Sequence, residues 1–183
     1  MQKKGVVILD FGSQYTQLIA RRVRELNVYS EILSSNTHLS QIIERDPSAI
    51  ILSGGPSSVF GDEAPSFDKK IFDIDIPILG ICYGLQLLAH HHGGLVESNG
   101  QGEYGFAKIE VDDDKKLFQN VSKSSQVWMS HMDRVTKLPD GWHTLAHSTN
   151  GVIAAMANKN QTRVATQFHP EVIHSKEGKN ILK

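Results

Sequence analysis

One cysteine, Cys82, stands between two glycines in the stretch Gly80-Ile-Cys82-Tyr-Gly84, and it is the only cysteine among 183 residues. A short apolar run precedes it and a helical pattern of leucines follows it, which places the thiol at a tight turn from strand to helix. At such a turn the side chains two positions before and after the central residue crowd each other, and glycine relieves the clash. The pattern is that of a nucleophile elbow.

The elbow would give the thiol of Cys82 two chemical advantages. The positive end of the helix dipole favours thiolate over thiol. The backbone N–H of Tyr83, free in the first helical turn, would point to where an oxyanion forms. The alternative is that Cys82 is a small buried hydrophobic residue beside incidental glycines. The strand-turn-helix context favours the nucleophile, which then requires a base.

The base predicted for this nucleophile is His169, in the stretch Gln167-Phe-His169-Pro-Glu171. His169 ends an apolar strand, and α/β folds present catalytic groups at the carboxyl ends of their strands. Glu171 could hold the imidazole in one tautomer, which completes a set of nucleophile, base and orienting carboxylate. The alternative is a turn histidine beside a surface glutamate.

The remaining histidines are weaker candidates for a base or a metal ligand. His90, His91 and His92 lie at the far end of the helix that Cys82 begins, more than two turns from the thiol. Consecutive helical positions point to different faces, so these three predict a solvated helix end and no metal site.

A second glycine-rich turn, Ser53-Gly-Gly-Pro56-Ser-Ser58, also follows an apolar strand. It resembles a phosphate loop only superficially, because Pro56 removes a donor N–H and the loop lacks an aspartate. A better role is to supply the second oxyanion donor, the N–H of Gly55, from a loop that would lie beside the elbow.

The elements that must position these residues alternate regularly in the first half of the chain. Such apolar strands alternating with helices predict a mostly parallel sheet covered on both faces. Strands are expected at 6–9, 29–33, 49–52 and 77–81, and helices after an N-cap at Ser13, at 39–43, and from Cys82 to about Gly93. The second half predicts antiparallel strands added at one sheet edge, at 104–111, 126–129, 144–147, 152–157 and 163–168, and a helix at 175–183.

Composition and the apolar pattern argue against a nucleic-acid-binding protein, a membrane-spanning protein and a protein with a signal peptide. A net charge of −1 leaves no broad basic surface for nucleic acid. No apolar run is long enough for a membrane span, and the first residues do not form a signal peptide. One cysteine fits a reducing cytoplasmic location. The length fits one domain, 1–183, or one domain with a small appendage.

Five stretches of the chain resemble the class I (triad) glutamine amidotransferases, in particular the amidotransferase domains of bacterial-type GMP synthetases. They are ILDFGSQYTQLIARRVRE, ILSGGPSSV, LGICYGLQ, VWMSHMDRV and QFHPEVIHSKEGKNIL. The resemblance implies a flavodoxin-like fold: an open, mostly parallel sheet with helices on both faces and antiparallel edge strands. It also implies a cytoplasmic glutaminase whose ammonia passes to an ATP pyrophosphatase domain, which aminates xanthosine monophosphate (XMP) to GMP.

By this resemblance Cys82 forms a γ-glutamyl thioester, with His169 and Glu171 as its partners and the N–H groups of Gly55 and Tyr83 as the oxyanion hole. Other residues would hold the backbone of the glutamine substrate, namely Gln86, Ser130, His131 and Asp133. The resemblance implies no cofactor for this domain, since ATP and Mg²⁺ would serve the synthetase domain, which this chain does not contain.

The chain departs from the family pattern at two positions and in its extent. Gly102 stands where relatives usually have arginine, and Met132 where they usually have glycine. The chain is expected to be either a shortened form of a two-domain protein or a separate subunit.

Three other functions stay open at this point. The first is the amidotransferase of another synthase, such as those for anthranilate or carbamoyl phosphate. The second is a cysteine hydrolase that acts on γ-glutamyl peptides, and the third is a non-catalytic regulatory module.

Overall fold

The computed structural model describes residues 4–98 and 102–183. The first half of the chain alternates strands and helices, as the apolar pattern predicts. Its elements are β1 (Val6–Asp10), α1 (Thr16–Glu25), β2 (Ser30–Ser34), α2 (Leu39–Ile43), β3 (Ala49–Leu52), a 3₁₀ helix (Lys69–Phe72), β4 (Ile78–Ile81) and α3 (Tyr83–His91).

The second half consists mainly of strands. Its elements are β5 (Leu95–Glu97), β6 (Glu103–Val111), a 3₁₀ helix (Lys116–Phe118), β7 (Ser124–His131), β8 (Arg134–Lys137), β9 (Trp142–Ser148), β10 (Ile153–Asn158), β11 (Arg163–Thr166) and α4 (Gly178–Leu182). The strands β5 and β8 pair with each other in a small separate sheet. This small sheet is absent from the sequence prediction because strands of three and four residues are too short to show alternation.

The main sheet has nine strands in the order β2-β1-β3-β4-β11-β10-β9-β6-β7. The five strands from β2 to β11 are parallel, and β10, β9, β6 and β7 continue the sheet in antiparallel fashion. This confirms the predicted fold class, with antiparallel strands added at one edge.

The strand β11 is the exception to the expected antiparallel additions, because it pairs in parallel with β4. A tight turn after β10 reverses the chain, and the side chain of Asn158 closes it by accepting hydrogen bonds from the N–H groups of Thr162 and Arg163. Since β10 runs antiparallel to the parallel strands, the strand that returns from it must run parallel to β4. The carboxyl ends of β4 and β11 therefore lie side by side.

Apolar side chains cover both faces of the parallel strands. In β1, Val7 and Leu9 face a core shared with α2 and α3, whereas Ile8 faces the core that α1 closes through Ile19 and Val23. A third cluster fills the space beneath the antiparallel strands. No helix in the described parts of the chain is long and apolar enough to span a membrane.

Two predicted helix boundaries are wrong. Helix α1 begins at Thr16 with Tyr15 as its N-cap, so Ser13 is not the predicted cap, and the Ser13 hydroxyl instead accepts a hydrogen bond from the Tyr15 N–H at 3.0 Å. Asp10 ties the first turn of this helix to β1, because its carboxylate accepts the Thr16 hydroxyl at 2.8 Å. The predicted C-terminal helix is shorter than expected and spans only Gly178–Leu182.

Candidate active site

Cys82 occupies the turn between β4 and α3 in a strained backbone conformation, with φ +52° and ψ −101°. A non-glycine residue with positive φ is uncommon and concentrates at functional sites. The conformation turns the chain from strand into helix within one residue, as the glycine spacing predicts. The side chain of Cys82 is almost fully buried.

The two glycines that flank Cys82 meet different neighbours. A Cβ at Gly80 would lie 2.5 Å from the carbonyl oxygen of Gly84, which is the crowding expected across the elbow. A Cβ at Gly84 would lie 2.5 Å from the carbonyl oxygen of Leu52 in β3. Gly84 is thus needed against the neighbouring strand, and the sequence pattern did not reveal that contact.

The parallel pairing of β4 and β11 brings His169 to Cys82. Ile81 and Thr166 are paired at the carboxyl ends of these strands, and the Cys82 N–H donates to the Thr166 carbonyl at 2.7 Å. The chain then leaves β11 and reaches His169 three residues later, where the His169 N–H is held by the carbonyl of Trp128 at 3.0 Å.

His169 lies between Cys82 and Glu171, and both contact its ring. Its Nδ1 is 2.7 Å from Oε1 of Glu171, and the Cys82 side chain is near enough to influence the charge of the imidazole. Burial disfavours the charged imidazole, but the hydrogen bonds with Cys82 and Glu171 outweigh it and raise the pKa of His169 to about 10. The arrangement therefore favours an imidazolium at neutral pH, held between two groups that can carry negative charge.

Two other polar groups lie within hydrogen-bond distance of the Cys82 sulphur. The Cys82 Sγ lies 3.5 Å from the carbonyl of Ser130, and the amide Nε2 of Gln167 lies 3.7 Å from the same sulphur. Gln167 is fully buried. The thiol group is thus fixed by β7 and by the end of β11 as well as by its own turn.

A pocket of about 500 Å³ opens beside the thiol at the carboxyl ends of the parallel strands. Seven of the nine residues proposed from the sequence line it, namely Cys82, His169, Gly55, Gln86, Ser130, His131 and Asp133. The two others are Glu171, which lies fully buried behind His169, and Tyr83, whose ring packs in the core against Phe11. Only the backbone N–H of Tyr83 was expected to act.

The two predicted oxyanion donors are both available. Tyr83 is the first residue of α3, and the first N–H groups of a helix have no acceptor within it. In the described segments no backbone acceptor pairs with the N–H of Gly55. A Cβ at Gly55 would lie 2.5 Å from the Phe11 carbonyl, so only glycine fits this turn without a shift.

The residues expected to hold the substrate backbone differ in whether their polar side-chain groups are already bound within the protein. Gln86 donates its amide to the Asp133 carbonyl at 2.8 Å, and both ring nitrogens of His131 are engaged inside the protein. The carboxylate of Asp133 has no hydrogen-bonded or ionic partner among residues 4–98 and 102–183 in the structure, so it can receive a cation. The roles of these residues toward substrate stay predictions.

Among the residues that sequence reasoning missed are two of the pocket wall and one behind it. The ring of Tyr15 contacts that of His169 edge-on, with centroids 5.1 Å apart, and Tyr104 lies at the rim. Glu103 lies behind the wall and binds His131. Tyr15 follows β1 as Cys82 follows β4, so its place at the carboxyl end of a parallel strand was the available signal.

The two departures from the family pattern lie next to this pocket. Met132 is at its rim with 45% of its surface exposed. A side chain at Gly102 would collide with the carbonyl of His131, so the backbone here is packed for glycine. The arginine usual in relatives would require this segment to shift.

Across the described residues, no group of three or more His, Cys, Asp or Glu side chains is arranged to hold a metal ion. His90, His91 and His92 are exposed, as predicted, and their rings pack against Phe60, Phe72 and Trp142.

Comparison with known proteins finds a family model and curated relatives that match nearly the whole chain. The family model for class-I glutamine amidotransferases matches residues 7–183. The chain is 54% identical over 183 residues to a glutamine-hydrolysing GMP synthase of Campylobacter jejuni, and 50% identical over 178 residues to one from Brachyspira hyodysenteriae. These matches cover 100% and 97% of this chain but only 36% and 35% of the relatives, so the chain spans about a third of their length.

A solved structure extends the comparison to the fold. A candidate GMP synthase subunit from Thermoplasma acidophilum superposes with a TM-score of 0.88 at 31% identity. The superposition covers 99% of this chain and 91% of that one. With the family model matching nearly the whole sequence, the chain belongs to the class-I glutamine amidotransferase family.

Proposed function

We propose that this chain, as one amidotransferase domain over residues 1–183, is the glutaminase part of a GMP synthetase. The observation that carries the proposal is the buried set of Cys82, His169 and Glu171 beside a pocket, in a chain 54% identical throughout to part of a GMP synthase. The names of the relatives favour GMP synthesis over the anthranilate and carbamoyl phosphate alternatives.

The first step follows from the paired thiol and imidazole. The Cys82 sulphur, as thiolate, attacks the side-chain amide carbon of glutamine, and the carbonyl electron pair moves to oxygen. The N–H groups of Gly55 and Tyr83 then donate to this oxyanion. His169 holds the proton taken from the thiol, and Glu171 stabilises the resulting imidazolium through Nδ1.

The second step releases ammonia and then glutamate. The tetrahedral intermediate collapses, the carbon–nitrogen bond breaks, and His169 gives its proton to the departing nitrogen, which leaves a γ-glutamyl thioester on Cys82. Water then loses a proton to His169 and attacks the thioester. The Cys82 thiolate is expelled, and glutamate leaves the pocket.

The backbone of glutamine would be bound on the wall formed by the end of β7 and the start of α3. The free carboxylate of Asp133 suits the α-ammonium group of the substrate, because an ion pair in a partly buried pocket is weakly screened. Gln86 and Ser130 line the same wall and set the length of side chain that reaches the thiol.

The ammonia would be consumed by an ATP pyrophosphatase domain, in the same full-length chain or as a separate subunit. That domain would bind ATP and Mg²⁺ and aminate XMP to GMP. The length of the relatives, about three times that of this chain, supports a partner of this kind.

A chimaera tests the proposal directly. This chain would replace the matching third of the Campylobacter jejuni enzyme, and GMP formation would be followed with ATP, Mg²⁺, XMP and either glutamine or ammonium chloride. We expect GMP from both nitrogen sources, and loss of the glutamine-dependent reaction alone in Cys82→Ala. GMP formation from ammonia but not from glutamine in the unmutated chimaera would contradict the proposal. This chain alone should form no GMP under the same conditions.

A further inference from the structure

A buried polar network lies behind the pocket wall, outside the Cys82, His169 and Glu171 set. It joins Glu103 at the start of β6, His131 at the end of β7, and Gln86 in α3. Glu103 and His131 are paired directly across the two strands, and their side chains are only 11% and 1% exposed. Groups buried this deeply must satisfy their hydrogen bonds within the protein.

The network converges on one backbone atom, the carbonyl oxygen of Asp133. It accepts the Gln86 amide at 2.8 Å and the His131 Nδ1 at 2.9 Å. On the other side of the ring, His131 Nε2 lies 3.2 Å from Oε2 of Glu103. The imidazole is thus a rigid link between Glu103 and the bend that carries Asp133.

The partners of His131 show how its ring is held. The Asp133 carbonyl can only accept, so Nδ1 must carry a hydrogen. The second oxygen of Glu103 already accepts the Ser148 hydroxyl at 3.0 Å and the Asn150 amide at 2.8 Å, as expected of a carboxylate. The hydrogen bond from His131 holds the pKa of Glu103 below its usual range, aided by Asn150 and Ser148 against burial. Nε2 thus faces a carboxylate whose other oxygen is held by Ser148 and Asn150, so the ring of His131 is fixed at both nitrogens.

We propose that Glu103 is a positioning residue for the glutamine pocket, because through His131 it fixes the backbone carbonyl of Asp133 and thus the direction of the Asp133 carboxylate. The inference rests on the proposed function, in which that carboxylate receives the α-ammonium group of glutamine. It also assigns His131 a structural role in the wall, since neither of its ring nitrogens is free for substrate.

The variant Glu103→Gln tests this with little change in shape. An amide in place of the carboxylate turns one oxygen into an NH₂ donor, which then faces either the His131 N–H or the donors of Ser148 and Asn150. Whichever way the amide turns, the side chain loses its hydrogen bonds either with His131 or with Ser148 and Asn150. The matched control is Glu110→Gln, a carboxylate on the same strand that accepts the Ser124 hydroxyl about 23 Å away along β6.

The readout is the inactivation of Cys82 by two reagents. A diazo-ketone analogue of L-glutamine reports binding in the pocket through its saturation constant, and iodoacetamide reports the reactivity of the thiol alone. In Glu103→Gln we expect the saturation constant to rise about tenfold, as for a lost charge-assisted hydrogen bond. The maximal rate and the iodoacetamide rate should change less than about twofold, and Glu110→Gln should match the wild type.

Two outcomes would overturn the inference. An unchanged saturation constant in Glu103→Gln would show that the network does not position the pocket, and an equal fall in both alkylation rates would show general disruption. If Glu103→Gln fails to fold, Asn150→Ala removes a single donor to the same carboxylate and should raise the saturation constant by a smaller factor, about threefold. A wild-type chain that reacts with iodoacetamide but never saturably with the analogue would instead refute the proposed function.

Discussion

Glu171 holds His169 with one carboxylate oxygen, Oε1, 2.7 Å from the imidazole Nδ1, and its other oxygen is buried without a partner among the described residues. A fully buried carboxylate with one unpaired oxygen is costly unless it faces a positive charge. The pair is therefore arranged for an imidazolium, the form of His169 that the thiolate of Cys82 also requires.

From this relationship we expect unequal effects of removing the two partners. In the chimaera, His169→Ala should lower the glutamine-dependent rate by about 10⁴-fold or more, and Glu171→Ala by a factor roughly tenfold to hundredfold smaller, because orienting a base matters less than having one. Rates with ammonium chloride in place of glutamine serve as the control and should not change. Mild and equal losses in both variants would mean that another residue acts as the base.

Cys82 should be the single site of labelling by the diazo-ketone analogue of glutamine. Its side chain lies at the N-terminus of α3, on the wall of the pocket and beside His169, the base proposed to take its proton. Intact mass spectrometry should show one adduct on the wild-type chain and none on Cys82→Ala. An adduct of equal yield on the alanine variant would exclude Cys82 as the reacting group.

The raised pKa of His169 predicts how stability changes with pH. In the unfolded chain this histidine has a pKa near 6.5, and in the folded chain near 10. Between these values the folded state binds one more proton than the unfolded state, so the stabilisation is complete below about pH 6.5 and is lost as pH rises toward 10. The free energy of unfolding in urea, wild type minus His169→Gln, should therefore fall across this range. A difference that is flat or rises with pH would contradict the assignment.

The glycine at position 84 should be more sensitive to substitution than glycines outside the elbow. Gly84→Ala would place a methyl group 2.5 Å from the Leu52 carbonyl, which forces α3 away from β3 and should cost about 2 kcal/mol or more. Gly61→Ala is the control, because its added methyl group would meet its nearest atom at 3.4 Å. Thermal unfolding of the two variants measures the difference, and equal midpoints would show that the elbow is not tightly packed.

The sequence predicted those parts of the fold and site that depend on local patterns. Apolar runs located every parallel strand, and glycines spaced around Cys82 predicted the tight turn of the elbow, which the structure forms with a positive φ. The Gln167-to-Glu171 stretch predicted the base and its carboxylate because both lie within two residues of each other. These features are encoded within a few neighbouring positions.

The features that were missed depend on contacts between distant residues. The parallel pairing of β11 with β4 joins segments about 85 residues apart, and a strand pattern does not name its partner. Glu103 contacts His131 and Ser148, which are 28 and 45 residues away. The glutamate shows no periodicity of its own, so only the strand register of β6 and β7 reveals its position behind the pocket.

At the strained turn of Cys82, glycine should stabilise the folded chain more than alanine, which reverses the usual order of these two residues. At an ordinary position alanine stabilises a folded chain more than glycine, by about 0.5–1 kcal/mol, because glycine loses more entropy on folding. At φ +52° and ψ −101° any Cβ is strained by about 1–3 kcal/mol, so Cys82→Gly should unfold at a higher temperature than Cys82→Ala, although neither variant has a thiol. The proposed nucleophile thus stands where the backbone itself favours a residue with no side chain, and a glycine-over-alanine preference in unfolding experiments would mark this candidate catalytic position without any assay of activity.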